Sequence, residues 1–331
     1  AMPRWMEKIF DSKPMLNLAS KMAGSTRSEG LEDMTISMLL GEGGGQSKEL
    51  ERMTEWIAEH YKPDIIHISN ALLLGLVHKL KEIPNVKIVC SLQDEDVWVD
   101  NMRESYRNKV WKLMGEKAKE VDFFIAVSEY FAQLSAERMG LDKDKIEVVH
   151  LGVDPEDYVY KKAAEKDRNI GFISRQCHAN GLDILVDAFV LLKKQAEFDD
   201  VKLIITGGNT ADDKKYLKGI KRTIRKNSLE NNVIFREKFD GQDRLNFFEE
   251  VSIISVPVRG GEAFGIYITE AKAAGIPVVQ PREGAFPEII EKSGGGLIYD
   301  ENTPEQLAES LAVLLLDKYK LSEMSKNARQ S

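Results

Sequence analysis

Two carboxylates and a run of glycines share the segment GGEAFGIYITEAKAAGIPVV, residues 260–279. The pattern predicts a helix that begins near Phe264, on which residues 266, 270, 273 and 274 share one face. Three of these are Ile266, Ala273 and Ala274, so Glu270 falls on an apolar face. An unpaired carboxylate there costs on the order of several kcal/mol. Its charge is met either by a neighbouring Arg or Lys or by the hydroxyls of a ligand. Glu262 precedes it in the loop RGGEAFG, residues 259–265. That loop joins a strand end to a helix N-terminus, where free backbone N–H groups form an anion site suited to phosphate.

The elements that must position these acids alternate along the chain. DIIHIS (64–69), VKIVCSL (86–92), FFIAVS (123–128) and IEVVHLG (146–152) read as strands. Helical patterns near 71–82, 103–120 and 129–139 separate them. After a polar stretch, 154–168, the alternation restarts with NIGFIS (169–174), VKLIITGG (201–208), NVIFREKF (232–239), IISVPV (253–258) and IPVVQP (276–281). Helices are expected at 182–194, 212–227 and 241–250. Continuous apolar strands divided by helices imply parallel sheets covered on both faces. The expectation is therefore an α/β chain of two tandem Rossmann-like, doubly wound domains, residues 1–153 and 169–331, joined by a linker at 154–168. Ligands of such sheets sit at the carboxyl ends of the strands, so the cleft between the units is the expected site. The first unit reads as short. Before residue 64 only MTISMLL (34–40) has a strand's composition, and both ends of the chain read as incomplete.

Composition narrows the function classes. Of 331 residues, 43% are hydrophobic and 30% charged, ample for two cores, and a net charge of −8 argues against general nucleic-acid binding. Cys90 and Cys177 are too few for a disulfide framework, which points to a reducing cytoplasm. No apolar run has the length of a membrane span, and no signal peptide is visible in the opening AMPRWMEK, where Ala1 could be an expression scar. The five histidines show no metal-ligand spacing.

The spacing of Glu262 and Glu270, followed by AKAAGIPVV and GAFPEII (284–290), resembles the signature of retaining glycosyltransferases of family four, which have the GT-B fold. GFISRQCHANGLDILVDAFVLL (171–192) is similar to that family's phosphate loop and helix, and FFIAVSEYFAQ (123–133) and IEVVHLGVDPEDY (146–158) to segments before its linker. The resemblance implies a metal-independent transfer of a sugar, with retention, from a nucleotide-diphosphate sugar, UDP- or GDP-linked, that binds as substrate rather than as a resident cofactor. It implies that Glu270 accepts from the ribose hydroxyls, which suits an acceptor-only carboxylate. Glu262 would lie beside the transferred sugar, and the amides of Phe264, Gly265 and Ile266 would face the diphosphate. Arg175 would stabilise the departing nucleotide as a permanent cation. The base would stack near Lys238 and Phe239, and Gln93 would contact the sugar from the first domain.

The sequence departs from the family at two of these positions. The family usually carries Lys where Asn180 stands and often His where Gln93 stands, so each site keeps hydrogen-bonding capacity without the charge or the titration. His178 offers a charge in the same loop when protonated. These departures leave two alternatives open: a GT-B-like binding protein with impaired transfer, and a GT-B enzyme of the epimerase or phosphorylase kind. The acceptor, whether glycan, lipid or small molecule, is not specified.

Other features have plainer readings. LLGEGGGQSKELERM (39–53) reads as a flexible solvent loop before a helix, DED (94–96) as an acidic strand-end loop rather than a metal motif, and KKYLKGIKRTIRK (214–226) as a solvated basic face. Trp98 and Trp111 read as core, with a peripheral membrane or acceptor contact as the other option.

Overall fold

The computed structural model describes residues 30–331; the opening AMPRWMEK lies outside the described residues. The first unit begins with helices α1 (Glu32–Leu40) and α2 (Ser47–His60). Residues 34–40, expected as a strand, are therefore helical. The reason is spacing: Glu32, Thr35, Ile36 and Leu39 are the buried residues of α1, an i, i+3, i+4, i+7 stripe, whereas a strand would bury every second residue. The glycines after it are a tight corner rather than a solvent loop. Gly41 has φ 61°, and a Cβ there would lie 2.1 Å from the Gly75 carbonyl oxygen, so the two backbones cross in contact.

Four strands follow: β1 (Ile65–Ile68), β2 (Lys87–Leu92), β3 (Phe123–Ala126) and β4 (Ile146–Val148). They pair in that order, all parallel. Between β1 and β2 run a 3₁₀ turn at Ala71–Leu76 and the short α3 (Val77–Leu80). Helices α4 (Glu95–Val99) and α5 (Glu104–Ala118) join β2 to β3, and α6 (Glu129–Met139) joins β3 to β4. Trp111 is buried on α5 and donates to Asp100 (2.9 Å), while half-buried Trp98 donates to Thr35 (3.2 Å), so both tryptophans belong to the packing of this unit.

Beyond two 3₁₀ turns, at Pro155–Asp157 and Ala163–Glu165, the second unit starts at β5 (Asn169–Ile173), which is buried along its whole length. The order continues α7 (Leu182–Leu192), β6 (Lys202–Thr206), α8 (Lys214–Lys226), β7 (Val233–Phe235), α9 (Gly241–Glu250), β8 (Ile253–Ile254), α10 (Ile266–Ala273), β9 (Val278–Pro281), α11 (Phe286–Glu291), β10 (Gly296–Tyr299), α12 (Pro304–Leu316) and α13 (Lys318–Gln330). The parallel sheet has the order β10-β9-β8-β5-β6-β7. Strand order reverses at β5, with β6 on one side and β8 on the other, and such a switch point opens a crevice at the strands' carboxyl ends. On α8, Leu217, Ile220 and Ile224 are buried and the lysines face out, the solvated basic face expected of it. Among the described residues no helix is long and apolar enough to cross a membrane.

Candidate functional site

A cavity of about 560 Å³ lies where the carboxyl ends of the two sheets meet. Seven of the residues singled out from the sequence line it: Gln93, Arg175, Glu262, Phe264, Gly265, Ile266 and Phe239. Glu270, Asn180 and Lys238 are not in its lining.

The wall from the second unit is built on the loop before α10. Its first amides are consumed by structure: Arg259 N donates to Ala179 O (2.9 Å) and Gly260 N to Glu283 (2.7 Å). The Ala263 amide is bonded to Asp94 of the first unit. The amides of Phe264, Gly265, Ile266 and Tyr267, in contrast, donate to no acceptor among the described residues. Gly265 has φ 88°, which a residue with a side chain rarely adopts, and this turn starts α10 with its free N–H groups at the cavity. The whole corner is fastened from behind by Gln280, fully buried, which accepts from Val256 N (2.8 Å) and donates to Val256 O (2.9 Å) and the Tyr267 hydroxyl (2.7 Å).

Arg175 follows β5. Its Nε donates to Asp213 Oδ2 (3.1 Å) and its Nη2 to Thr210 Oγ1 (3.0 Å) and Asp213 Oδ1 (3.2 Å). Burial pulls the Asp213 pKa up, but bonds from Arg175 and Thr210 more than offset it and hold the acid below its ordinary value. The cation is thus aimed by a fixed anion, and Nη1 has no partner among the described residues. Asn180 serves the same loop from inside: its side-chain amide donates to Ser174 Oγ (2.7 Å) and Arg175 O (3.0 Å). His178 packs edge-on against Tyr216 and is not in the cavity lining.

Glu262 is half-buried; its backbone carbonyl accepts from Ala285 N (3.0 Å), but its carboxylate has no hydrogen-bond or ion-pair partner among the described residues. Burial, with the nearby Asp94 charge adding to it, pushes its pKa up to about 8. Asp94 itself is raised by burial, against the bond from Ala263 N. Asp94 stands in the left-handed region, φ 58°, at the strand-end turn expected for DED. Next to it, buried Glu95 accepts from Ala71 N and from Gln93 N (2.7 Å each), so one carboxylate clamps the loops that follow β1 and β2. Gln93 donates in turn to Ser69 O (2.8 Å).

Glu270 is buried, and of the two options left by the sequence the structure shows a cationic partner. Arg244 on α9 donates Nε to Oε1 (2.6 Å) and Nη2 to Oε2, and the Tyr158 hydroxyl donates to Oε1 (3.0 Å). Arg244, unlike Glu270, is in the cavity lining. Phe239 also lines the cavity, half-exposed against Gly208, while Lys238 contributes its carbonyl to Thr206.

The two units also meet beyond the cavity. Ser128 Oγ, at the start of α6, donates to Ala263 O (2.6 Å). Glu288 on α11 accepts from Glu129 N (3.0 Å) and Tyr130 N (3.2 Å), and His150 Nε2 lies 2.7 Å from it. Sequence reasoning read Asp94 only as part of an acidic strand-end loop, and it did not single out Thr210, Asp213, Arg244, Tyr158, Gln280 or Glu288. The one available signal for Arg244 was the unmatched charge of Glu270.

What the cavity offers is a cation, a set of free amides, a carboxyl with no partner and an aromatic edge, in one space of ligand size. Among the described residues no group of three or more His, Cys, Asp or Glu is placed to hold a metal. A family model described as glycosyl transferases group 1 matches residues 155–331, more than half of the chain, and one described as glycosyltransferase family 4 matches residues 42–157. The chain is 27% identical over 270 residues to an uncharacterized glycosyltransferase of Methanocaldococcus jannaschii, covering 81% of this chain and 70% of that protein. It is 25% identical over 292 residues to an amylovoran biosynthesis glycosyltransferase of Erwinia amylovora, covering 85% and 68%. The crystal structure of Anabaena HepE in complex with UDP and glucose superposes with a TM-score of 0.70 at 20% identity, over 87% of this chain and 77% of that one, which shows the shared GT-B fold.

Proposed function

The chain belongs to the glycosyl transferases group 1 family, and from that premise we propose that it transfers a sugar, with retention and without a metal, from a nucleoside-diphosphate sugar bound in the cleft. The observation that carries this reading is Arg175 and the free amides of Phe264–Tyr267 lining one cavity. A diphosphate has the charge and the acceptor oxygens to take both. Phosphate held there places the nucleoside toward Phe239 and Arg244 and the sugar toward Glu262, Asp94 and Gln93.

In this reading Arg175 stabilises charge on the leaving diphosphate, and Phe264, Gly265 and Ile266 supply preorganised N–H donors to it. Glu262, protonated at neutral pH by its raised pKa, both donates to and accepts from sugar hydroxyls. Gln93, set by Glu95, contacts the sugar from the first unit. Glu270 lies at the ribose end, Phe239 carries the base and Lys238 holds its strand-end loop, while Asn180 shapes the phosphate loop. The donor in this reading is a UDP- or GDP-sugar; solved structures of HepE, which share the fold, hold UDP. The acceptor is a glycan, a lipid or a small molecule, reached in the cytoplasm or at its membrane surface; two free cysteines fit a reducing compartment.

Asn180 favours a second reading, binding without transfer. Its amide hydrogens are spent on Ser174 and Arg175, so no second cation from this loop reaches the diphosphate. A thermal-shift screen with UDP-, GDP- and ADP-sugars, followed by NMR of donor turnover, separates the two. Stabilisation with sugar release or transfer supports the enzyme. Stabilisation with no turnover over days supports the binder, and no stabilisation by any of them rejects both.

A further inference from the structure

The Glu270 carboxylate is nearly saturated. A carboxylate has about four acceptor sites, two on each oxygen. Oε1 accepts from Tyr158 OH (3.0 Å) and Arg244 Nε (2.6 Å), which fills it. Oε2 accepts from Arg244 Nη2, which leaves one site. A vicinal diol brings two O–H donors, so Glu270 as it stands takes one of them and has no place for the other.

Arg244 has the complementary surplus. Its guanidinium carries five N–H donors, of which Glu270 uses two. The edge with Nε and Nη2 faces the acid, and Nη1 has no partner among the described residues. Arg244 is the member of the pair that lines the cavity, its side chain 29% exposed against 8% for Glu270. It cannot swing away cheaply. A fork-to-carboxylate pair fixes its plane, and Phe248 lies under the guanidinium at 6.0 Å, itself met edge-on by Tyr158 at 5.5 Å. Releasing it would leave a buried Glu270 short of two charge-assisted bonds.

We propose that Arg244 is a nucleotide-binding residue of this chain: its Nη1 donates to one hydroxyl oxygen of the ribose, while the one vacant site on Glu270 Oε2 accepts the proton of the other. The ribose is read by a mixed donor and acceptor pair instead of by a carboxylate alone, and Tyr158 enforces this by closing Oε1. The inference rests on the nucleotide reading of the cleft, and the experiment separates the two.

Calorimetric titration with UDP, GDP and their 2′-deoxy and 3′-deoxy forms provides the test, on the parent, Arg244→Lys, Arg244→Ala and Tyr158→Phe. The parent is expected to lose about tenfold in affinity or more with at least one deoxy form, the scale of one charge-assisted hydrogen bond. Arg244→Lys keeps the charge but not the fork, and is expected to bind the ribonucleotide about tenfold more weakly and to lose discrimination against that deoxy form. Arg244→Ala is expected to behave likewise if its melting curve stays cooperative; otherwise Arg244→Lys decides. Tyr158→Phe opens Oε1 and is expected to keep or tighten ribonucleotide binding. Arginine variants that bind as tightly as the parent, or that keep its full discrimination, overturn the proposal while leaving nucleotide binding intact. A parent that binds neither UDP nor GDP overturns the nucleotide reading and this inference with it.

Discussion

At the scale of single residues, the informative fact about Glu262 is what it lacks. A carboxyl at the mouth of a helix, with free amides beside it and Asp94 near, has no cation to hold it ionised. Burial raises its folded-state pKa to about 8 from an ordinary 4.5, so the fold favours the protonated form. The stability this brings is complete below about pH 4.5 and drains away as pH climbs through about 8. Glu262→Gln fixes the neutral form. The variant should melt close to the parent at pH 4 and about 5 °C above it at pH 9. Equal melting temperatures at both pH values would show Glu262 to be an ordinary exposed acid. Residue chemistry of this kind was partly legible in the sequence. Glu270 stood out as an acid on an apolar helix face and Glu262 as an acid in a glycine-rich loop, while Arg175 stood out only through the family resemblance. The partners themselves did not. Arg244 and Tyr158 reach Glu270 from 26 and 112 positions away, and no local pattern encodes that meeting.

At the scale of elements, strand and helix order was readable because parallel strands covered on both faces are continuous apolar runs. β5, buried at every position, is the clearest case. The reading failed at residues 34–40, where seven mostly apolar residues look like a strand until the buried set is known. Loop geometry was the least legible level, although the loops carry the chemistry. Gly181 shows why one loop has its shape. Its φ is 69°, and a Cβ there would lie 1.9 Å from the Pro257 carbonyl oxygen, so the Arg175 loop lies directly on the strand end after β8. Gly181→Ala must move one backbone or the other, at a cost of roughly 2–4 kcal/mol in urea denaturation, with nucleotide affinity falling as Arg175 shifts. Gly140→Ala is the control. It has a similar φ of 66° but nothing within 4 Å, so it should lose only about 1 kcal/mol. If the two substitutions cost the same, crowding against Pro257 is not what shapes the Arg175 loop.

At the scale of the whole molecule, the site exists only while two sheets present their carboxyl ends to each other, so whatever holds the units together also holds the cavity. Glu288 is the polar link that spans them most fully. From α11 of the second unit it caps the first amides of α6, at Glu129 and Tyr130, and bonds His150 near the end of the first unit. Its position in PEII gave no sign of this role, because the capped helix lies about 160 residues earlier, a separation of 159 positions for Glu129. Burial pulls the Glu288 pKa up, but the Glu129 amide, His150 and the Tyr130 amide outweigh it and hold the acid below its ordinary 4.5. A lowered folded-state pKa makes the stabilisation complete above about pH 4.5 and removes it as pH falls through the lower folded value. Glu288→Gln mimics the protonated state at neutral pH: it keeps one acceptor oxygen and turns an N–H₂ toward helix amides that need acceptors. Hydrogen exchange should then speed by about tenfold at the Glu129 and Tyr130 amides, with the β5 amides unchanged, since one charge-assisted cap is lost and the core is not touched. The same amides in the parent should speed up only as the pH falls below about 4.5, after correction for intrinsic exchange. Unchanged protection at α6 in the variant would mean that packing around Ser128 and Ala263 holds the units together without Glu288. Faster exchange in both units alike would mean that Glu288 supports global stability rather than the meeting of the two sheets.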